Sequence, residues 1–241
     1  MSSRSCNSGT WTGRGPAEGP TRRRTPRERR TPPDDPGAAL ERLRRGAAEI
    51  LGRDLTEVEV RRLFKYMNLL IKWNSTHRLV GSSASDFIVE QLLLDSLLFL
   101  RVIPRGFRNL VDIGSGAGVP GVPIKIVKPE IGPVVLVESR RRRASFLSTV
   151  VRELDLAEVV VLADRIDSAP IEWRKAFDAA VARCAGPITK VIALAQGFVR
   201  DGGAIVASGP PRPGDVGVGR EVVVAGPLMR TRRFVVVGHG S

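Results

Sequence analysis

Val111-Asp112-Ile113-Gly114-Ser115-Gly116-Ala117-Gly118-Val119-Pro120-Gly121 leaves an apolar strand pattern, places four glycines in eight residues and enters a helical pattern. Glycine lets the chain turn tightly and brings backbone N–H groups against a ligand, while the start of the following helix adds partial positive charge. This predicts a nucleotide-type site. The next strand pattern ends in Val137-Glu138, 24 residues beyond Gly114. An acid at that point can accept hydrogen bonds from two ribose hydroxyls.

Two reading frames compete for the loop. From Gly116, the glycines 116, 118 and 121 satisfy the dinucleotide pattern G-x-G-x-x-G with Glu138 at a suitable distance, which points to NAD. From Gly114, the run is D-x-G-x-G-x-G, led by Asp112, the motif of Rossmann-like S-adenosylmethionine-dependent methyltransferases. The second frame is preferred because it accounts for Asp112. A carboxylate there faces a sulfonium and an amine favourably, whereas it would repel a pyrophosphate.

Outward from the loop, short apolar runs alternate with helical patterns. Strands are expected at 109–113, 134–137, 158–162, 179–181 and 204–207, with helices at 140–153 and 189–199 between some of them. Such alternation predicts an α/β fold with a mostly parallel, doubly wound sheet. Two further strands, 221–224 and 233–237, have no helix between them and follow the loop 209–214, so they are expected as an antiparallel pair at one edge. Before the core come three helices, at 38–51, 56–73 and 85–101. The second opens on a capping box, Thr56-Glu57-Val58-Glu59, and repeats Val60, Leu63, Phe64, Met67 and Leu70 at helical spacing. Trp73 reads as a core anchor at its end. The third is so rich in leucine that it should be buried on more than one side.

The chain has 241 residues and a net charge of +13. Residues 1–36 hold eight Arg and four acids, six Pro, and only Met1, Cys6, Trp11 and Ala17 as apolar residues, which predicts a disordered basic tail. The expected domain is therefore 37–241, with N-terminal helices at 37–104 and the Rossmann-like core at 105–241. Two cysteines, Cys6 and Cys184, cannot build a disulfide framework or a four-ligand zinc site, so a reducing compartment and no structural metal are expected. No stretch approaches about 18 uninterrupted apolar residues, and a cytoplasmic location is expected.

On these residues the chain resembles the RsmG family, also called GidB, which methylates N7 of a guanine in 16S ribosomal RNA. The resemblance spans roughly residues 40–237. It is carried by Lys72-Trp73-Asn74, Leu94-Asp95-Ser96-Leu97, the loop with Val119-Pro120-Gly121, Glu138-Ser139 and Phe146-Leu147. Further markers are Arg165-Ile166-Asp167, Phe177-Asp178, Ala182-Arg183-Cys184-Ala185 and Asp201-Gly202-Gly203. It implies S-adenosyl-L-methionine as cofactor, held by Asp112, Gly114, Gly116, Gly118, Val119, Glu138, Ile166, Asp167 and Arg183. Arg183 would also face the acceptor as the catalytic-site arginine. The implied partner is 16S ribosomal RNA or the small ribosomal subunit particle, with a monomeric enzyme favoured. The sequence departs from the family at Arg78 and Val80, at Gln91-Leu92 where Arg-His is usual, at Ser208 where Lys is usual, and at Ala182 and Cys184 beside Arg183. Those departures lie on the acceptor side. They keep open a different acceptor or a non-catalytic RNA-binding relative, beside the NAD-dependent oxidoreductase of the other frame.

Transfer to guanine N7 would need no general base, since the N7 lone pair lies in the plane of the neutral base. Consistent with that, the two histidines read as solvated: His77 in a polar loop and His239 in the C-terminal tail. Arg140, Arg141, Arg142 and Arg143 form a basic run just after Glu138 and are expected to meet RNA phosphates. In a chain with 32 Arg and six Lys, the same run also reads as an ordinary solvated surface.

Overall fold

A computed structural model describes residues 35–183, 185–208, 217–227 and 231–238. A seven-stranded sheet has the order β3-β2-β1-β4-β5-β7-β6. β1 is Leu110–Ile113, β2 Val134–Val137, β3 Val159–Leu162, β4 Phe177–Arg183 and β5 Val199–Ser208; all pair in parallel with their neighbours in this set. β6 (Arg220–Ala225) and β7 (Thr231–Gly238) are antiparallel to each other, and β7 is antiparallel to β5. The sheet is thus the doubly wound one expected, with the antiparallel pair at its β5 edge. β4 and β5 extend beyond the expected 179–181 and 204–207, because Arg183 pairs with Ser208 at one end and Phe177 with Val199 at the other, across an irregularity that takes up residues 200–203.

The pleat sorts each central strand onto two cores. Leu110, Val134, Leu136, Ala179, Val181 and Val206 face one cluster, which contains the N-terminal helices. Val111, Ile113, Val135, Val137, Ala180, Ala182, Ile205 and Ala207 face the other, under the Ile188–Gln196 helix. Asp112 has the same parity as Leu110, so its side chain enters the first face. That parity brings it to the N-terminal helices.

α1 spans Pro36–Leu51, and the Gly37 amide donates to Asp35 Oδ1 at 2.9 Å; residues 1–34 of the segment read as a tail lie outside the described residues. α2 spans Glu57–His77; its capping box is formed, with the Thr56 amide donating to Glu59 Oε2 at 2.7 Å. Trp73 packs edge-on against Phe146 at 5.4 Å between ring centroids, as a core anchor. His77 is the last residue of α2 rather than part of a loop: the helix continues past Trp73 and stops at Arg78, in left-handed conformation at φ 46°. His239 and Cys184 lie outside the described residues.

The helical run 85–101 is not one regular helix. It comprises Ser85–Phe87, a π-helical stretch Ile88–Leu94, Asp95–Leu97 and a 3₁₀ turn Leu98–Arg101. Leu92, Leu93, Leu94, Leu97, Leu98 and Phe99 are all buried, confirming burial on more than one side. Consecutive apolar residues overfill the stripe of a 3.6-residue period, and the wider π turn changes the phase before Asp95. No helix among the described residues is long and apolar enough to cross a membrane.

Candidate active site

β1 and β4 lie side by side, and the residues after their C-terminal ends meet. Gly114 has φ 73°, and a Cβ there would stand 2.7 Å from that of Ala185. The loop folds back so tightly that a Cβ on Gly118, at φ 94°, would meet Val122, Leu147 and the Tyr66 hydroxyl. Both positions require glycine.

Six of the loop's amides are spent within the protein. Gly114 and Ser115 donate to Val137 O at 3.0 and 2.9 Å, Gly118 and Val119 to Ser115 O at 2.7 and 3.1 Å, Gly116 to Glu138 Oε2 at 3.0 Å, and Gly121 to Asp112 Oδ2 at 2.9 Å. This corrects the expectation that these N–H groups present themselves to a ligand. The loop is braced by two carboxylates instead of offering a cradle for phosphate.

Asp112 lies beneath the loop, fully buried, and its Oδ1 has no hydrogen-bond partner among the described residues. Burial, more than anything else, pushes its carboxyl up to about 7, against the lowering effect of the Gly121 amide. Tyr66, the chain's single tyrosine, is completely buried and donates from its hydroxyl to Ala117 O, so α2 clamps the loop from the first face. Glu138, 6% exposed, also accepts from the Arg140 amide at 2.8 Å, and Arg143 Nη1 is 4.0 Å from its Oε2. A carboxylate has about four lone-pair sites, so Glu138 keeps acceptor capacity beyond these two amides.

Arg183, ending β4, forms an ion pair with Asp95 at 2.9 Å and donates to Gln91 O. Asp95 also meets Arg232 Nε of β7 at 3.3 Å. Ser208 is the β5 neighbour of Arg183 in the ladder and accepts from Arg232 Nε at 2.7 Å. The arginine at the C-terminal end of the central strand β4 is therefore compensated by a carboxylate from the helical run 85–101.

The other expected residues fall in different places. Val119 is buried in the first core, at 9% exposure, within the loop. Ile166 is buried in the second core, and Asp167 beside it is exposed and paired with Arg165 at 2.8 Å. Arg140, Arg141 and Arg142 are exposed at the start of the Arg141–Glu153 helix, while Arg143 is partly buried near Gly116. Leu92, at the position of the family's histidine, is buried in the core, and Gln91 supplies its backbone carbonyl to Arg183. Sequence reading missed Tyr66 and Arg232. Tyr66 falls on the stripe of α2 and its rarity was the available signal; Arg232 sits among many arginines and carried none.

With this geometry in place, likeness to known proteins is informative. A putative S-adenosyl-L-methionine-dependent methyltransferase from Methanococcus maripaludis superposes with a TM-score of 0.51 at 9% identity, over 73% of this chain and 93% of that one. Sheet order, glycine loop and the acid closing β2 define the class: a Rossmann-like S-adenosylmethionine-dependent methyltransferase. A family model described as rRNA small subunit methyltransferase G (GidB) matches residues 59–209. The ribosomal RNA small subunit methyltransferase G of Chromobacterium violaceum is 36% identical over 165 residues, 68% of this chain and 77% of that protein. Its namesake in Caldanaerobacter subterraneus is 34% identical over 172 residues, 70% and 71% of the two chains. The chain belongs to the GidB family.

Proposed function

We propose that this protein transfers a methyl group from S-adenosylmethionine to N7 of a guanine in 16S ribosomal RNA, in the cytoplasm. One observation carries the choice of cofactor. Two carboxylates, Asp112 and Glu138, consume loop amides at the point where a pyrophosphate would need free N–H groups and a positive field. Such a site suits a cationic ligand and disfavours NAD. The orphan Oδ1 of buried Asp112 fits an amine-bearing, sulfonium-bearing group in particular.

In the proposed complex Glu138 holds the ribose, Asp112 fixes the loop and its charge, and Gly114 and Val119 line the methionine end. Ile166 and Asp167, in the short 3₁₀ turn that follows β3, border the adenine. When bound, S-adenosylmethionine supplies an electrophilic methyl group whose positive charge passes to the base. The protein's own contribution is alignment of the acceptor atom, a gain that can reach about 7–11 kcal/mol in favourable cases. No side chain has to remove a proton. Arg183 contacts the base O6, the cofactor carboxylate or a phosphate; a bond to N7 would occupy the attacking lone pair. Arg140 to Arg143 receive the RNA backbone beside this opening.

Incubation of the full chain with labelled S-adenosylmethionine and either naked 16S RNA or small-subunit particles, followed by nucleoside mass spectrometry, tests the proposal. N7-methylguanosine at a single site is the expected product. Cofactor binding without transfer to either substrate would sink the catalytic reading, and methylation of another atom would sink the assigned acceptor.

A further inference from the structure

Residues 60–85 and 139–152 hold ten Lys and Arg and no Asp or Glu. The first stretch contains most of α2 and the second most of the Arg141–Glu153 helix, and the two helices pack antiparallel. Lys65 Nζ meets Glu153 Oε2 at 3.2 Å, and Trp73 meets Phe146, eight residues on along one helix and seven back along the other. Equal rise per residue therefore carries the last turn of α2, at His77 and Arg78, alongside Arg141 and Arg142. The Arg141–Glu153 helix begins just beyond Glu138, at the end of the sheet where the glycine loop lies, so the last turn of α2 reaches that same end. Tyr66 on one helix and Arg143 on the other both touch the loop.

The cations at the two ends of this helix pair are compensated differently. At the far end Glu153 takes both Lys65 and Arg152, the latter at 3.9 Å, and Arg62 donates to Asp155 O at 3.1 Å. At the loop end Glu138 is approached by Arg143, while Lys72, Arg78, Arg140, Arg141 and Arg142 are exposed and make no ion pair among the described residues. Lys72 follows Lys65 by seven residues, which keeps it on the face of α2 turned to the other helix. Uncompensated like charges gathered in one place attract a polyanion. His77 stands among them, exposed, its ring 5.2 Å from that of half-buried Trp73 and tilted by 47°. A ring backed by a fixed neighbour and flanked by cations suits single-stranded nucleic acid, whose phosphates track the charges while an unpaired base stacks on the ring. Arg78 is also a position where the sequence departs from its family, and the departure places a cation here. Resting on the function proposed above, we infer that the last turn of α2 forms, with Arg140, Arg141 and Arg142, one continuous surface for single-stranded 16S RNA. Lys72 and Arg78 take phosphates, and His77, supported by Trp73, stacks an unpaired base of the strand.

The double variant Lys72→Gln/Arg78→Gln and the single variants His77→Ala and His77→Phe, each in the full chain, test the assignment through binding of naked 16S RNA across salt concentrations at pH 8. The double variant should bind roughly tenfold more weakly, with a slope against log salt shallower by about 1.4, the value for two phosphate contacts to a single strand. H77A should lose roughly fivefold in affinity at an unchanged slope, and H77F, which keeps a ring, should recover most of it. S-adenosylmethionine affinity and melting temperature should stay at wild-type values throughout. The inference is overturned if the double variant or H77A binds within twofold of wild type, or if H77F binds no better than H77A. It is equally overturned if the losses come with a fall in melting temperature and cofactor affinity, which marks a structural role. A wild type that binds the RNA without methylating guanine N7 fails the functional reading; a methylating wild type matched by these variants fails this inference alone.

Discussion

Asp112 is buried where ionisation is unfavourable, and this has a consequence that can be titrated. Its folded-state value of about 7 lies above the ordinary carboxylate range, so the folded protein binds a proton that the unfolded chain has released. Stability from this group is therefore present at low pH and is lost as pH rises from about 4 through about 7, after which it is constant. Asp112→Asn removes that dependence: the melting temperature of wild type should fall relative to D112N across this range, and parallel curves would refute the assignment. Gly114→Ala must place a Cβ at φ 73° and 2.7 Å from Ala185, for a cost of about 1–3 kcal/mol measurable by denaturant melting. The role of Asp112 was half legible. Its presence ahead of the glycines marked the methyltransferase frame, but that it braces Gly121 from below depends on strand parity and on α2, which no local pattern contains.

Among the elements, α2 opens where its sequence places it, because its cap and its apolar period are both local, though it runs on past Trp73 to His77. Thr56→Ala breaks the capping box and should cost about 1 kcal/mol, read as a lower melting temperature with cofactor affinity retained. The Arg141–Glu153 helix presents exposed Arg140, Arg141 and Arg142 at its start, while Arg143 is partly buried and approaches the Glu138 carboxylate. Changing those three to Gln should weaken RNA binding and flatten its dependence on log salt by as much as about 3 units, without altering cofactor affinity. An unchanged slope would return them to ordinary surface. The helical run 85–101 was legible as buried but not in its shape. Its leucines satisfy every helical phase equally, so packing against the sheet chose the π turn, and with it the position of Asp95.

At the scale of the whole molecule, a ligand that binds only the folded state stabilises the entire fold. S-adenosylmethionine at about 100 times its dissociation constant should raise stability by about 2.7 kcal/mol, visible as a thermal shift, while NAD at the same concentration should give none. Removing residues 1–34 should leave that shift intact, since α1 starts at Pro36 with its cap at Asp35. The sequence by itself determined the strand and helix alternation, the antiparallel edge and the methyl-donor loop, because these are written in short-range periodicity and in residue types with narrow backbone or chemical uses. Tertiary structure decided which carboxylate meets which cation. Asp95 and Arg183 are far apart in the chain, as are Tyr66 and Ala117, and Arg232 joins Ser208 across the β5–β7 edge. Pairings of that kind arise from strand order and from the burial of charges that must be compensated, and neither is expressed in any local stretch of residues.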